Sequence, residues 1–171
     1  MIDIRTMRPE EVEEVCRVDR EAFRDGRFGE LTGLRTMTPA EFEQWQSVRD
    51  FREYISGHPE RVIVAVEGSD IGGFAIWHYN NETNDGRVYS FALMPAFRGK
   101  GLAGTLMKRL LDTLRERGAA RVTVSTTHEP KACRMYEKAG FRLAARRRKT
   151  ARCGTPYDCS DYELVFKEEK T

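Results

Sequence analysis

The segment from Phe91 to Gly104, FALMPAFRGKGLAG, constrains this chain more than any other. A short apolar run ends at Pro95, Arg98-Gly99-Lys100-Gly101 follows, and Leu102, Ala103 and Gly104 open an apolar-periodic stretch. A strand that feeds a glycine-rich turn into a helix start belongs to layered α/β architecture. It also forms a small anion socket, because the first backbone N–H groups of a helix lack partners and the helix dipole adds positive potential there. Glycines at 99, 101 and 104 remove the Cβ atoms that would hold a phosphate away from the backbone. The competing local reading is an ordinary strand–loop–helix joint with one or two solvated basic residues, and the segment by itself leaves both open.

Two common nucleotide loops are excluded. G-x-x-x-x-G-K-[ST] does not occur anywhere in the chain. Gly99-x-Gly101-x-x-Gly104 satisfies the bare dinucleotide spacing, but the acidic partner expected ~20 positions later is missing. Residues 115 to 126 offer only Glu116, inside a predicted helix.

A chain of 171 residues is most simply one domain, spanning 1–171, and is long enough to bury about two-thirds of its unfolded surface. With 40% apolar and 33% charged residues it reads as a soluble globular protein. No apolar run approaches the ~18 residues of a membrane span, and the acid-rich N-terminus does not resemble a signal peptide. The cytoplasm is the default expectation. The four cysteines (Cys16, Cys133, Cys153, Cys159) form no C-x-x-C pair. Cys16 and Cys133 fall on apolar helix faces, while Cys153 and Cys159 share a predicted loop where they could approach each other. Thiols are expected ahead of a disulfide, and no metal site is expected. Residues 1–60 hold 14 acidic and 9 basic side chains, a balance of −5, and the remaining 13 acidic and 20 basic give +7. The basic part suits a polyanionic cofactor and the acidic part an amine, although solvated helix faces account for most such charge.

The alternation of Ile2 and Ile4 predicts a first strand. Pro9 starts a helix carrying Val12, Val15, Cys16 and Phe23 on one face. Residues 24–37, with three glycines, read as loop or broken helix. Thr38-Pro39-Ala40-Glu41 is a capping box opening a second helix, with Phe42, Trp45, Val48 and Ile55 as its stripe and its end near Gly57. Residues 61–67 and 71–79 read as a hairpin, and 87–93 as a fourth strand. A third helix carries Leu106, Leu110 and Leu114 and stops at Gly118. Strands at 121–126, 141–145 and 161–167 enclose a short helix over 130–139. The order requires a mixed α/β sheet with flanking helices.

A second segment, Ala132 to Phe141, reads ACRMYEKAGF. Together, Arg98-Gly99-Lys100-Gly101-Leu102-Ala103, preceded by Pro95, and this ACRMYEKAGF resemble the two signatures of the GNAT acetyltransferase superfamily, [RQ]-x-x-G-x-[GA] and A-x-x-x-Y-E-K-x-G-F. The resemblance is sharpest from residue 88 to Phe141 and extends over the whole chain. It implies a single-domain, mostly antiparallel α/β sheet of about seven strands with flanking helices, splayed between the fourth and fifth strands where the pantetheine arm inserts.

The resemblance also implies acetyl-CoA as co-substrate and no metal. Its pyrophosphate would lie on the amides of Arg98, Gly99, Lys100, Gly101, Leu102, Ala103 and Gly104, and its pantetheine along the backbone of the strand ending at Leu93. Tyr136 matches the family tyrosine that protonates the departing thiolate, against the plainer reading of an amphipathic tyrosine on a buried face. Glu129 stands seven residues earlier, where many members carry Asn, and reads either as a helix N-cap or as an active-site carboxylate. A lysine amine of pKa ~10.4 is far less often neutral at pH 7 than an α-amine near ~7.8, so a lysine acceptor would need a base or a desolvating pocket. The positions that supply bases in some relatives hold Gly86 or Arg87 and Val124, none of which serves. Local candidates are Glu82, Tyr89, His128 and Glu129, with His128 favoured by the ~6.5 pKa of imidazole. His78 reads as a satisfied surface or core histidine.

Acceptor specificity in the family resides in two segments, here 24–37 and 146–160. Trp45, Trp77, Phe28 and Tyr157 are candidate pocket walls or core residues. The run Arg146-Arg147-Arg148-Lys149 is a solvated loop or strand edge before it is an anion or RNA contact, since no aromatics interleave it. Cys133 lies on the packing side, which disfavours a ping-pong route. The expected activity is acetyl-CoA-dependent N-acetyl transfer to a primary amine of a small molecule or protein. A longer acyl-CoA and a non-catalytic acyl-CoA-binding regulator are the alternatives. No membrane or nucleic-acid partner is expected, and a homodimer is left open.

Overall fold

A computed structural model describes residues 1–24, 37–41, 44, 50–127, 129–150 and 154–168. Seven strands, β1 (Ile2–Thr6), β2 (Val62–Glu67), β3 (Asp70–Asn80), β4 (Asp85–Leu93), β5 (Arg121–Thr127), β6 (Arg142–Thr150) and β7 (Pro156–Val165), form one sheet in the order β1-β2-β3-β4-β5-β7-β6. Every neighbouring pair is antiparallel except β4–β5. Helices α1 (Val12–Arg24), α2 (Phe51–Gly57), α3 (Leu102–Glu116) and α4 (Pro130–Lys138) flank the sheet. The mixed, mostly antiparallel architecture expected from the sequence is the one observed.

The sheet separates two cores. Val62, Val64, Phe74 and Ile76 pack with Val15, Val18, Phe51 and Ile55 of α1 and α2. Ile63, Ala65, Ala75, Trp77 and Val122 pack on the other side with the leucines of α3 and with Cys133 and Tyr136 of α4. Both faces of β2 are therefore covered, which is why VIVAV is apolar without alternation. Trp77 is 1% exposed and belongs to this core, not to a pocket wall.

Three expectations need correction. The second helix is not continuous: the Thr38/Glu41 capping box forms, with both reciprocal bonds made, but Asp50 adopts φ 54 and α2 starts afresh at Phe51. Phe42, Trp45 and Val48 lie outside the described residues, as does Phe28. The sixth strand runs on through the arginine cluster to Thr150, and β7 begins at Pro156. Most of the predicted 146–160 loop is thus a two-stranded ribbon, in which β6 is exposed along its whole length. The run had no apolar alternation to betray a strand, because neither face of this ribbon edge is buried. Cys159 accordingly sits buried in β7 and not in a loop, while Cys153 is outside the described residues.

Several acids of the N-terminal part form ion pairs with basic residues of the same part, which leaves its net balance unchanged. Arg5 pairs with Glu11 at 2.6 Å, Arg17 with Glu14 at 2.6 Å and Glu21 at 2.9 Å, and Arg52 with Glu13.

Candidate active site

β4 and β5 pair over only three positions, Asp85↔Arg121, Gly86↔Val122 and Arg87↔Thr123. Beyond them the strands diverge, leaving Val88–Leu93 and Val124–Thr127 without each other as partners. Just past the last β4–β5 pair, the β3–β4 register jumps from Trp77↔Val88 to Ile76↔Ser90. Tyr89 is therefore the extra residue of a β-bulge, which bends and twists β4 away from its neighbour. Period-two reasoning does not reveal such an insertion.

The backbone of the divergent edge has a defined orientation. Met94 N–H donates to the Gly72 carbonyl at 2.8 Å, toward β3. The trans peptide then points the Leu93 carbonyl the opposite way, into the opening. Strand alternation turns the amide and carbonyl of Phe91 and the amide of Leu93 to the same side. These groups form an edge ready to pair with an inserted extended chain.

The glycine loop stands at the mouth of this opening. A 3₁₀ turn, Pro95–Phe97, follows β4, and Gly99 and Gly101 adopt φ 76 and 73. Gly101 is the N-cap of α3, and the first intrahelical bond runs from Thr105 N–H to the Gly101 carbonyl at 3.3 Å. The amides of Leu102, Ala103 and Gly104 precede it. A Cβ added at Gly99, Gly101 or Gly104 would meet nothing within 4 Å, so the loop faces open space. The first turn of α3 carries no acidic residue to compete for its amides. Open space, free-standing amides and an uncompensated helix start fit a pyrophosphate.

Two side chains of the loop behave differently. Lys100 lies 5.8 Å from the Phe97 ring centroid. Arg98 turns inward: its Nε donates to the Leu93 carbonyl at 3.0 Å and its Nη2 to the Ala22 carbonyl near the end of α1 at 3.4 Å. A guanidinium on a terminal helix carbonyl also suits the α1 dipole. The loop is further seated by Phe97, whose ring occupies the space of a Cβ at Gly72, 2.2 Å from its ideal position. Gly72-Gly73 within a strand is a signal of such close approach, and it was available in the sequence.

Tyr136 projects from α4 into the α3/α4 core, 5% exposed, edge-on to Phe141 at 5.6 Å and tilted to Tyr162 at 5.9 Å. Burial pushes its phenol well above the ordinary tyrosine range, with Cys133 adding to the effect, so it keeps its proton at neutral pH. Cys133 is buried on the same helix face, as the sequence suggested. Glu129 is the N-cap residue of α4. It is half-buried, in extended conformation, and its carbonyl accepts the Cys133 N–H at 2.9 Å, while its carboxylate makes no capping bond. His128 lies outside the described residues. Glu82 is exposed in the β3–β4 turn, at the closed end of the β4–β5 opening and far from its mouth.

On the α1/α2 side the bulge carries Tyr89 against Tyr54 of α2, stacked at 4.3 Å and 13°. The Tyr54 hydroxyl contacts the Trp77 carbonyl at 3.1 Å and His78 Nδ1 at 3.3 Å. Arg61 Nη1 reaches the same Nδ1 at 3.1 Å and the Tyr54 oxygen at 3.3 Å. Burial lowers the His78 pKa, and the charge of Arg61, His58 and Arg87 lowers it further. This cluster joins residues from α2, the turn before β2, β3 and β4, and no linear spacing announces it. Tyr157, the remaining proposed wall, is on the β6–β7 ribbon.

Comparison with known proteins gives a consistent result. Residues 22–141 match the model of the acetyltransferase (GNAT) family. An uncharacterized N-acetyltransferase of Mycobacterium tuberculosis is 29% identical over 116 residues, covering 67% of this chain and 72% of that protein. The ribosomal-protein-S18-alanine N-acetyltransferase of Escherichia coli superposes with a TM-score of 0.73 at 18% identity, covering 99% of this chain and 97% of its own. A putative acetyltransferase of Salmonella typhimurium, solved with its cofactor acetyl-CoA, gives 0.73 at 17% identity, with 100% and 97% covered.

Proposed function

Because the chain belongs to the GNAT acetyltransferase family, we propose that it transfers an acetyl group from acetyl-CoA directly to a primary amine. The observation that carries this reading is the β4–β5 opening, followed by a glycine loop that faces open space at the start of α3.

Acetyl-CoA supplies a thioester whose carbonyl carbon accepts the amine. In the reading, the amides of the Gly99–Gly104 loop hold the pyrophosphate at the dipole end of α3. The Phe91 and Leu93 backbone holds the pantetheine as an added strand, with the Leu93 carbonyl reserved for Arg98. An amide of that edge polarises the thioester carbonyl. The C–N bond forms as the C–S bond breaks, and Tyr136 donates its proton to the leaving sulfur. Thiols have pKa ~8.5, so a proton or hydrogen bond to the sulfur improves its departure. Glu129 and His128 remain the candidates for removing the amine proton, together with bulk water. Direct attack needs no covalent acetyl carrier, and in this reading Cys133 is a packing residue of the core.

Thermal shift with acetyl-CoA, free CoA and longer acyl-CoAs, followed by thiol release across an amine panel, tests the proposal. Stabilisation by acetyl-CoA with release of thiol by at least one amine class is expected. Binding with no release from any amine would favour a regulator, and no binding at all would overturn the assignment.

A further inference from the structure

Arg87 stands at the root of the β4–β5 opening, opposite His78 on β3 and Thr123 on β5. Residues opposite one another in a ladder share a face. Trp77 and Val88 face the α3/α4 core, so the neighbouring His78 and Arg87 face the α1/α2 side. On that side α1 and α2 pack on β2 to β4. Thr123 and Ser125 of β5 continue the same face, Ser125 being exposed and bonded to Asp161 at 2.7 Å. An amine approaching the opening from the side away from α3 and α4 meets this floor.

The corner is positively charged. Arg87 is exposed and, among the described residues, makes no ion pair and no side-chain hydrogen bond. Arg61 lies behind it and donates to His78 Nδ1, so the neutral ring carries its proton on Nε2. The adjacent carboxylate, Glu60, already contacts both His58 at 3.4 Å and Arg61 at 3.8 Å. Of the other nearby acids, Asp85 and Glu163 both face Arg121, at 3.1 and 3.8 Å, and Asp161 pairs with Arg147 at 2.7 Å. Two guanidiniums and an imidazole N–H therefore meet one shared carboxylate, beside the flat Tyr54–Tyr89 stack.

Resting on the acetyl-transfer reading, we propose that Arg87 makes this corner a subsite for an anionic group on the amine acceptor. The acceptor is then an amine that also bears a carboxylate or phosphate, and polycationic amines are disfavoured. Strand rise of ~3.3 Å per residue separates Arg87 from the Tyr89–Phe91 stretch by roughly 7–13 Å. Amine and anion are accordingly several bonds apart, as in an ω-amino acid or in a peptide with an acidic residue near its amino terminus.

The test compares matched acceptors on the intact protein: an aminohexanoate, hexylamine and a diaminoalkane, an aminoalkyl phosphate, and alanyl dipeptide amides with aspartate or asparagine second. Thiol release should give the anionic member of each set a kcat/KM roughly five- to tenfold higher. Arg87→Gln should bring the sets to parity, and Arg87→Glu should favour the diamine. The acetyl-CoA Kd and the melting temperature should be unchanged in both variants, Arg87 being exposed. The peptide and alkyl arms distinguish a protein amine from a small molecule, and the phosphate arm separates the two anions. Equal rates within every set, or a preference that survives Arg87→Gln, would overturn the subsite. Calorimetric binding of the same acceptors to the CoA-loaded protein reads the subsite without turnover. Anion-dependent, Arg87-dependent binding with no thiol release would retain the subsite and refute the transfer reading; binding without that dependence would refute the subsite.

Discussion

Replacing Gly101 by Ala separates the cradle from the fold that carries it. Gly101 sits at φ 73, and its added Cβ would point into open space. In the folded protein the left-handed conformation costs a residue with a Cβ about 1–2 kcal/mol. The lower entropy of the unfolded Ala chain returns about 0.4–1 kcal/mol of that. The net destabilisation is then roughly 0.5–1 kcal/mol, or a few degrees of melting temperature for a domain of this size. The effect on ligand is larger, because the methyl enters the space where a phosphate oxygen would meet the amides. Losing one hydrogen bond to a charged group costs about 1.5–3 kcal/mol, which is roughly tenfold to 150-fold in Kd. Calorimetric titration with acetyl-CoA reads this, and scanning fluorimetry of the free protein reads the stability change. Gly68→Ala is the control: Gly68 has φ 63 and equally open Cβ space, but it lies in the β2–β3 turn. It should shift melting similarly and leave affinity untouched. S-acetyl-pantetheine, which lacks the pyrophosphate, should bind wild type and Gly101→Ala alike. An acetyl-CoA Kd within threefold of wild type in Gly101→Ala, or an equal loss in Gly68→Ala, refutes the cradle.

Tyr136→Phe should lower kcat by about 10²-fold or more while the acetyl-CoA Kd stays within about threefold; unchanged turnover would remove Tyr136 from the reaction. Since its phenol is held above the ordinary range, kcat should show no loss of this donor up to about pH 10. Glu11 is held below its ordinary 4.5 chiefly by the hydrogen bond from Arg5. A depressed carboxylate stabilises the fold above its unfolded pKa, and that contribution disappears as pH falls through the folded pKa. Glu11→Gln should therefore melt a few degrees lower than wild type at neutral pH, from about 1 kcal/mol lost, and the gap should close in acid below pH 4.5. A gap independent of pH would contradict the pairing. Cys16 is 4% exposed and burial pushes its thiol up to about 11. At pH 8 about one molecule in 1,000 carries the thiolate, so iodoacetamide should leave the Cys16 peptide unmodified until urea is added. Rapid native labelling, read by peptide mass mapping, would count against this burial.

The parts of the site that follow from local chemistry were legible in the chain. The strand, the glycine loop and the helix start are contiguous, and each has its own residue signal, so this joint could be read from the chain itself. The same holds for Tyr136, whose placement on the buried face of α4 follows from helical spacing. What was hidden depends on contacts between distant segments. The bulge at Tyr89 exists only relative to β3, and the Tyr54–His78–Arg61 cluster joins three elements. Arg98 reads as a cation for a phosphate, yet the turn at Pro95–Phe97 carries it back onto Leu93 and across to Ala22. The ribbon of β6 and β7 was misread as a loop because its arginines are held by one another's neighbours, Arg147 to Asp161 at 2.7 Å and Arg148 near Asp158 at 3.7 Å, and not by a core.

The three-residue seam between β4 and β5 has a consequence for how the molecule comes apart. On the sheet side, β1 to β4 and β5 to β7 are two sub-sheets stitched at Asp85–Arg87 and Arg121–Thr123. They are otherwise joined through the α3/α4 core. Such a joint divides a domain into two units of separate opening free energy, and a ligand strand laid along β4 would fuse them. Native-state hydrogen exchange should then show the amides of β5 and β7 opening more readily than those of β2 and β3, and the two sets merging into one when the donor is bound. In this protein the donor substrate would be the eighth strand of the sheet, and its occupancy would govern mechanical integrity as well as chemistry.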